Sequence, residues 1–268
     1  MKRDVSIIAL CDMIFILLLA LSGSLSGEIG IAAYYLSYLI PIFALLILYR
    51  DKREKLLVVP KKDSLSFVLI AFVPFLSVVI FISYLSSLFL GLFGVTNEVD
   101  VSGNVFYEIL RHALLPSILE ELLFRLLPIG ILARYSRKNA VLISALLFAF
   151  AHCNFFQIPY AFVAGVALGV LTIISGSIIP SFLFHFVNNL LSVIILKYGT
   201  GNWVLVFYLV LSVLCLISVA SFVLLRRELM PKIKEALCGE ERFEIAGGTA
   251  IFVIMAALIA IINFLSLI

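Results

Sequence analysis

The sequence predicts an all-α, multi-spanning transmembrane helical bundle of about eight to nine spans. Three observations carry that expectation. Long apolar runs recur at the length a bilayer requires, about 20 residues each. Only 13% of the residues are charged while 64% are hydrophobic, against roughly 45–50% apolar in soluble domains. The basic residues also fall on alternate loops. A soluble chain so poor in charge would lack the polar surface to cover itself. With a mean hydropathy of +1.23, the natural solvent of this chain is lipid.

The expected spans are Val5–Ser22, Ile29–Tyr49, Leu65–Phe93, Val105–Ala133, Ala140–Cys153, Ile158–Ile174, Ile178–Leu196, Trp203–Leu225 and Ile245–Ile268. The fourth exceeds one span and contains Glu108, Arg111 and His112, so its first turns are expected near the interface. The fifth is short, which suits a helix buried inside a bundle. The first follows Lys2 and Arg3 like a signal peptide. Asp12 interrupts its apolar run, and the charge alternation downstream works if it is kept, so a retained anchor is expected.

The positive-inside rule orients the chain. With a cytoplasmic N-terminus, 16 of the 19 Lys and Arg residues fall in cytoplasmic segments, from Lys2 and Arg3 through the Arg50–Asp63 linker and Arg134–Lys138 to Arg226–Glu244. Glu28, Glu98 and Asp100 mark the outer side, with Lys197 the basic exception. The net charge of +3 therefore reads as membrane anchoring and not as nucleic-acid binding. The expected location is the cell membrane, and nothing in the sequence sets an oligomeric state. The four cysteines form no CxxC pair and no disulfide framework. Cys153, beside His152, reads as a small packing residue and not as a nucleophile. Gly165 and Gly169 form a GxxxG spacing that permits close helix approach.

Polar groups that require explanation concentrate between Glu120 and Asn189. An ionisable residue inside a membrane costs roughly 2.5–3.5 kcal/mol on insertion scales. Glu121 and Arg125 are i,i+4 neighbours with the acid on the N-terminal side, the better orientation for an ion pair. Such a pair, by itself, reads as a structural lock. Glu120 points about 100° away, which leaves one carboxylate free as a candidate base. His152 and His185 lie deep in two further spans, and Asn189 stacks one turn after His185. A lone membrane histidine is commonly a satisfied interhelical bond. Two on separate spans, with an i+4 Asn and a free Glu on a third, argue for a site. Counting 1.5 Å per residue from the cytoplasmic ends, Glu120 lies about 20 Å deep, His152 about 18 Å, Asn189 about 16 Å and His185 about 10 Å. These depths let all four meet.

Glu120-Glu121-x-x-x-Arg125, Phe148-x-x-x-His152 and His185-x-x-x-Asn189 together resemble the three ordered motifs of the CPBP family. That family includes type II CAAX prenyl endopeptidases, similar to the Ras-converting enzyme, and bacteriocin-processing and immunity proteins. The resemblance implies a catalytic core at residues 105–196, flanked by transmembrane helices at 1–104 and 197–268. It implies an intramembrane endopeptidase of the glutamate type, acting on a membrane-associated protein or peptide. Glu120 and His152 would activate water, His185 and Asn189 would stabilise the oxyanion, and Glu121 with Arg125 would support them. No HExxH, GxSG or GxGD motif is present. The expectation is a site without a cofactor, although a Glu with two His could hold zinc in principle. Two other readings compete: a non-proteolytic regulatory or immunity scaffold of the same fold, and a transporter with a polar relay.

Overall fold

The computed structural model describes residues 1–51, 61–92, 103–199, 202–238 and 247–265. Its helices are α1 (Lys2–Gly23), α2 (Gly27–Leu48), α3 (Leu65–Gly91), α4 (Val105–Ile109), α5 (Leu115–Glu121), α6 (Leu127–Leu132), α7 (Arg137–Ala151), α8 (Gln157–Ser175), α9 (Ile179–Tyr198), α10 (Asn202–Ala236) and α11 (Gly247–Leu265). Lys52, Arg53, Lys55, Glu98, Asp100 and Arg242 lie outside the described residues.

Among the described residues six helices are long and apolar enough to cross a membrane: α1, α2, α8, α9, and the Leu65–Ser86 and Asn202–Ser221 parts of α3 and α10. The expectation was eight or nine. The difference lies in the fourth, fifth and last stretches. α7 has 15 residues, about 22 Å of helix, short of a hydrocarbon core of about 30 Å. It is a mostly buried helix of the bundle. The described part of α11 holds a shorter apolar window, Gly247–Asn263. The fourth stretch is continuously helical from Val105 to Leu132, but π-helical turns at Leu110–Leu114 and Leu122–Leu126 divide it.

Prolines account for those turns. Pro116 and Pro128 open α5 and α6, and each lacks the N–H that the carbonyl four residues earlier would receive. The freed carbonyl of Phe124 instead accepts a hydrogen bond from Ser144 Oγ of α7. A π turn shifts the faces of the helix that follows it, and such turns are frequent at functional sites. Here they bracket the segment that ends in Glu120 and Glu121.

α7 and α8 form an antiparallel hairpin. A Cβ at Gly165 would stand 2.9 Å from Ala145 Cα, and one at Gly169 would stand 3.0 Å from Val141 Cγ1. The first clash is with backbone and the second with a side chain that can yield. Gly165→Ala should therefore lower the thermal midpoint of the purified protein more than Gly169→Ala, by an overpacking cost of about 1–3 kcal/mol. Equal midpoints in the two variants would remove this account of the hairpin.

Basic residues collect at one end of the bundle. Asp4 accepts hydrogen bonds from Tyr49 Oη at 2.9 Å, Tyr135 Oη at 2.8 Å and Arg134 at 2.5 Å. This knot joins the start of α1, the end of α2 and the α6–α7 turn, beside Arg3, Arg137 and Lys138. Lys61 N–H donates to the Ser175 carbonyl at 3.0 Å, bringing the start of α3 to the same end. At the other end Lys197 donates to the Gly103 carbonyl. One apolar cluster ties α1, α2, α5–α8 and α11 together, so the flanking helices and the central ones share a core. Within it Asp12 is fully buried, and neither carboxylate oxygen meets a donor among the described residues.

Candidate active site

The last turn of α5 presents its two carboxylates in different directions. Glu121 turns inward, 1% exposed, and its Oε1 lies 3.4 Å from Arg125 Nη1, which is fully buried. The guanidinium also stacks over the Phe148 ring, 3.7 Å from the centroid, where a desolvated cation gains from the ring's negative face. Glu120 turns the other way. Its Oε1 accepts a hydrogen bond from Tyr38 Oη at 3.3 Å, and its Oε2 lies 3.5 Å from His185 Nε2.

His185, on α9, joins the two acids. Its Nδ1 lies 3.0 Å from Glu121 Oε1. An ionised carboxylate only accepts, so Nδ1 carries a hydrogen. That bond fixes the ring and turns Nε2 toward Glu120. Four residues on, Asn189 Nδ2 donates to Ser117 Oγ of α5 at 3.2 Å, which pins the amide beside the same helix.

His152 caps α7 at its C-terminus. Its Nδ1 lies 2.8 Å from the Phe148 carbonyl. A carbonyl only accepts, so here too Nδ1 is the donor, and the neutral ring keeps Nε2 as an acceptor. The next residue, Cys153, has φ of 47°, a left-handed conformation uncommon without glycine. It ends the helix sharply one residue after the histidine. Phe148 meets His152 edge-on at 4.8 Å and His185 edge-on at 5.6 Å. The phenylalanine of the second motif thus makes perpendicular ring contacts with both histidines and carries Arg125 over its face.

Glu120, His152, His185 and Asn189 all line one cavity of about 530 Å³, with Tyr34, Asn154, Gln157 and Tyr160 among its walls. Glu121 and Arg125 lie behind that wall. The cavity extends past Ser192 and Leu196 of α9 and Tyr208 of α10, all toward the end of the bundle opposite the basic one. Among the described residues no group of three His, Cys, Asp or Glu side chains is arranged to hold a metal ion. Both nitrogens of His185 already face carboxylates.

Sequence reasoning did not single out Tyr38, Ser117 or Asn188, whose amide donates to Asn189 at 3.4 Å. One signal was available for the first. Tyr34 and Tyr38 are one turn apart in an otherwise apolar helix, and a hydroxyl buried in lipid needs a partner.

Residues 102–191 match the family model described as type II CAAX prenyl endopeptidase Rce1-like. The matched segment, about a third of the chain, contains all three motifs. No curated protein and no solved structure matches the chain. Through this segment and the motifs within it, the chain resembles the Rce1-like type II CAAX prenyl endopeptidases, a family of membrane proteases.

Proposed function

We propose that the protein is an intramembrane endopeptidase that hydrolyses a peptide bond of a membrane-associated protein or peptide by water activated at Glu120 and His152. The observation that carries this reading is that Glu120, His152, His185 and Asn189 line a single cavity, while the Glu121–Arg125 pair is held out of it. Residues 105–196 form the catalytic core in this reading.

The chemistry follows from the positions of the donors and acceptors. A water between the Glu120 carboxylate and the acceptor Nε2 of His152 gives a proton to Glu120 as its oxygen attacks the scissile carbonyl. The carbonyl oxygen becomes an oxyanion. Asn189 Nδ2 donates to it, and His185 Nε2 joins in when the ring, between Glu120 and Glu121, carries a hydrogen on both nitrogens. The 3.5 Å separation of His185 Nε2 from Glu120 is beyond a strong hydrogen bond, which leaves that nitrogen open to a substrate oxygen. The tetrahedral intermediate then collapses, the C–N bond breaks, and the proton held by Glu120 passes to the leaving amine. No enzyme bond to substrate forms.

The basic end of the bundle supports a cytoplasmic N-terminus, and with it a cavity that approaches the outer face. The substrate is a CAAX-type or bacteriocin-type peptide in this reading. The test is purified protein in lipid nanodiscs, incubated with a peptide library and read by mass spectrometry in ¹⁸O-water. Expected is cleavage at defined bonds, with ¹⁸O in the new carboxylate. Asn189→Ala removes one oxyanion donor and should lower kcat by about 100- to 1,000-fold with little change in KM. Absence of cleavage across the library would favour a non-proteolytic scaffold of the same fold.

A further inference from the structure

Arg111 is the charged side chain that the catalytic reading leaves unused. It sits in the π turn after α4, exposed, between Glu108 and His112. It lines the catalytic cavity. It also lines a second cavity of about 490 Å³, between Ser22–Tyr35 of the α1–α2 corner and Tyr107. Tyr34 and His112 share this double position. The two cavities therefore adjoin at Arg111.

Its neighbours do not neutralise it. Glu108, the nearest acid on the same helix, has its Oε2 3.3 Å from His112 Nε2, and its Oε1 accepts the Gly103 N–H at 3.1 Å. Among the described residues, no hydrogen bond or ion pair engages the Arg111 guanidinium. A cation at this depth persists where it faces water or an anion. Its planar fork of five donors suits a carboxylate, which it can meet with two parallel bonds.

We propose that Arg111 is a specificity residue that binds a carboxylate of the substrate, about four residues from the scissile bond. This rests on the peptidase reading above. The spacing follows from the helix. Nine residues separate Arg111 from Glu120, about 13 Å at 1.5 Å per residue. An extended peptide covers that distance in about four residues at 3.3–3.6 Å each. The carboxylate is either the chain terminus or an acidic side chain.

The experiment uses quenched peptides built on a sequence cleaved from the library, in nanodiscs. One ends in a free carboxylate four residues beyond the cut. The second is its carboxamide. The third is the carboxamide with Glu at that fourth position. A charge-assisted pair should make wild type prefer the free acid over the carboxamide by about tenfold to a hundredfold in kcat/KM, mainly through KM. Arg111→Gln should collapse that ratio toward one, and Arg111→Lys should retain part of it. Cleavage of the Glu peptide at the rate of the free acid assigns the site to any carboxylate. A preference for the free acid alone assigns it to the chain terminus. A wild type that does not discriminate, or a ratio that persists in Arg111→Gln, overturns the proposal while the peptidase reading stands. If wild type cuts no peptide at all, the peptidase reading fails and this one with it.

Discussion

Glu120→Gln should reduce peptide hydrolysis by at least about 1,000-fold while leaving the protein folded. The size of the loss follows from the role. General base catalysis contributes about 10²–10⁴-fold, and in the proposed mechanism Glu120 both takes the water's proton and returns it to the leaving amine. The survival of the fold follows from the surroundings. The Glu120 side chain is 14% exposed on the cavity wall, and His185 keeps Glu121 at 3.0 Å from its Nδ1. A glutamine oxygen can still accept from Tyr38, whose hydroxyl stands 3.3 Å from the carboxylate. Expected, then, is a thermal midpoint within about 2 °C of wild type, the scale of a surface substitution, with turnover near background. Substrate binding measured on the inactive variant should be retained. If Glu120→Gln hydrolyses peptides at the wild-type rate, Glu120 is not the base, and a scaffold with contaminating activity becomes the better account.

The part of this site that the sequence revealed is the part that helix periodicity encodes. Glu121 with Arg125, Phe148 with His152, and His185 with Asn189 are all spaced by four, so each pair shares a face wherever the helix lies. The matched depths of Glu120, His152 and Asn189 were legible for the same reason, because rise per residue is nearly constant. Close packing of α7 on α8 was legible in Gly165 and Gly169. What the spacing did not encode is how the pairs meet across helices. That His185 stands between both carboxylates depends on the angle between α5 and α9. That Phe148 separates two histidines while stacking on Arg125 depends on α7 lying beside both. Tyr38 reaches Glu120 from 82 positions away in the chain, and no local pattern announces that contact. Among the described residues six of the eight or nine expected spans have the length and apolarity of a crossing, because hydropathy registers composition and not continuity. Pro116 and Pro128 leave the apolar character of the fourth stretch intact while breaking its hydrogen-bond ladder into α and π segments.

Arg125→Ala should act on stability before it acts on chemistry. Arg125 is fully buried, and Glu121 beside it is 1% exposed, so removing the guanidinium strands a carboxylate in a low-dielectric interior. Breaking a buried pair on one side costs about 3–5 kcal/mol. The loss of its stack on Phe148, at 3.7 Å from the ring centroid, adds to that and frees the ring on which both histidines pack. Low membrane abundance and a clearly lowered thermal midpoint are expected. Arg125→Lys keeps the charge but not the planar fork and should fall between. The decisive comparison is the pair Arg125→Met and Glu121→Gln. Replacing both ions removes the uncompensated charge, so the double variant should be more stable than Arg125→Met alone, a coupling of opposite sign to simple additivity. Its activity should nonetheless stay low, because His185 Nδ1, now 3.0 Å from a carboxylate, would face a neutral amide oxygen, a weaker acceptor that holds the ring less firmly. Stability recovered without activity would separate the two duties of the pair, one to hold the helix and one to aim His185. A double variant as unstable as Arg125→Met would show instead that packing against Phe148, and not charge, is what Arg125 supplies.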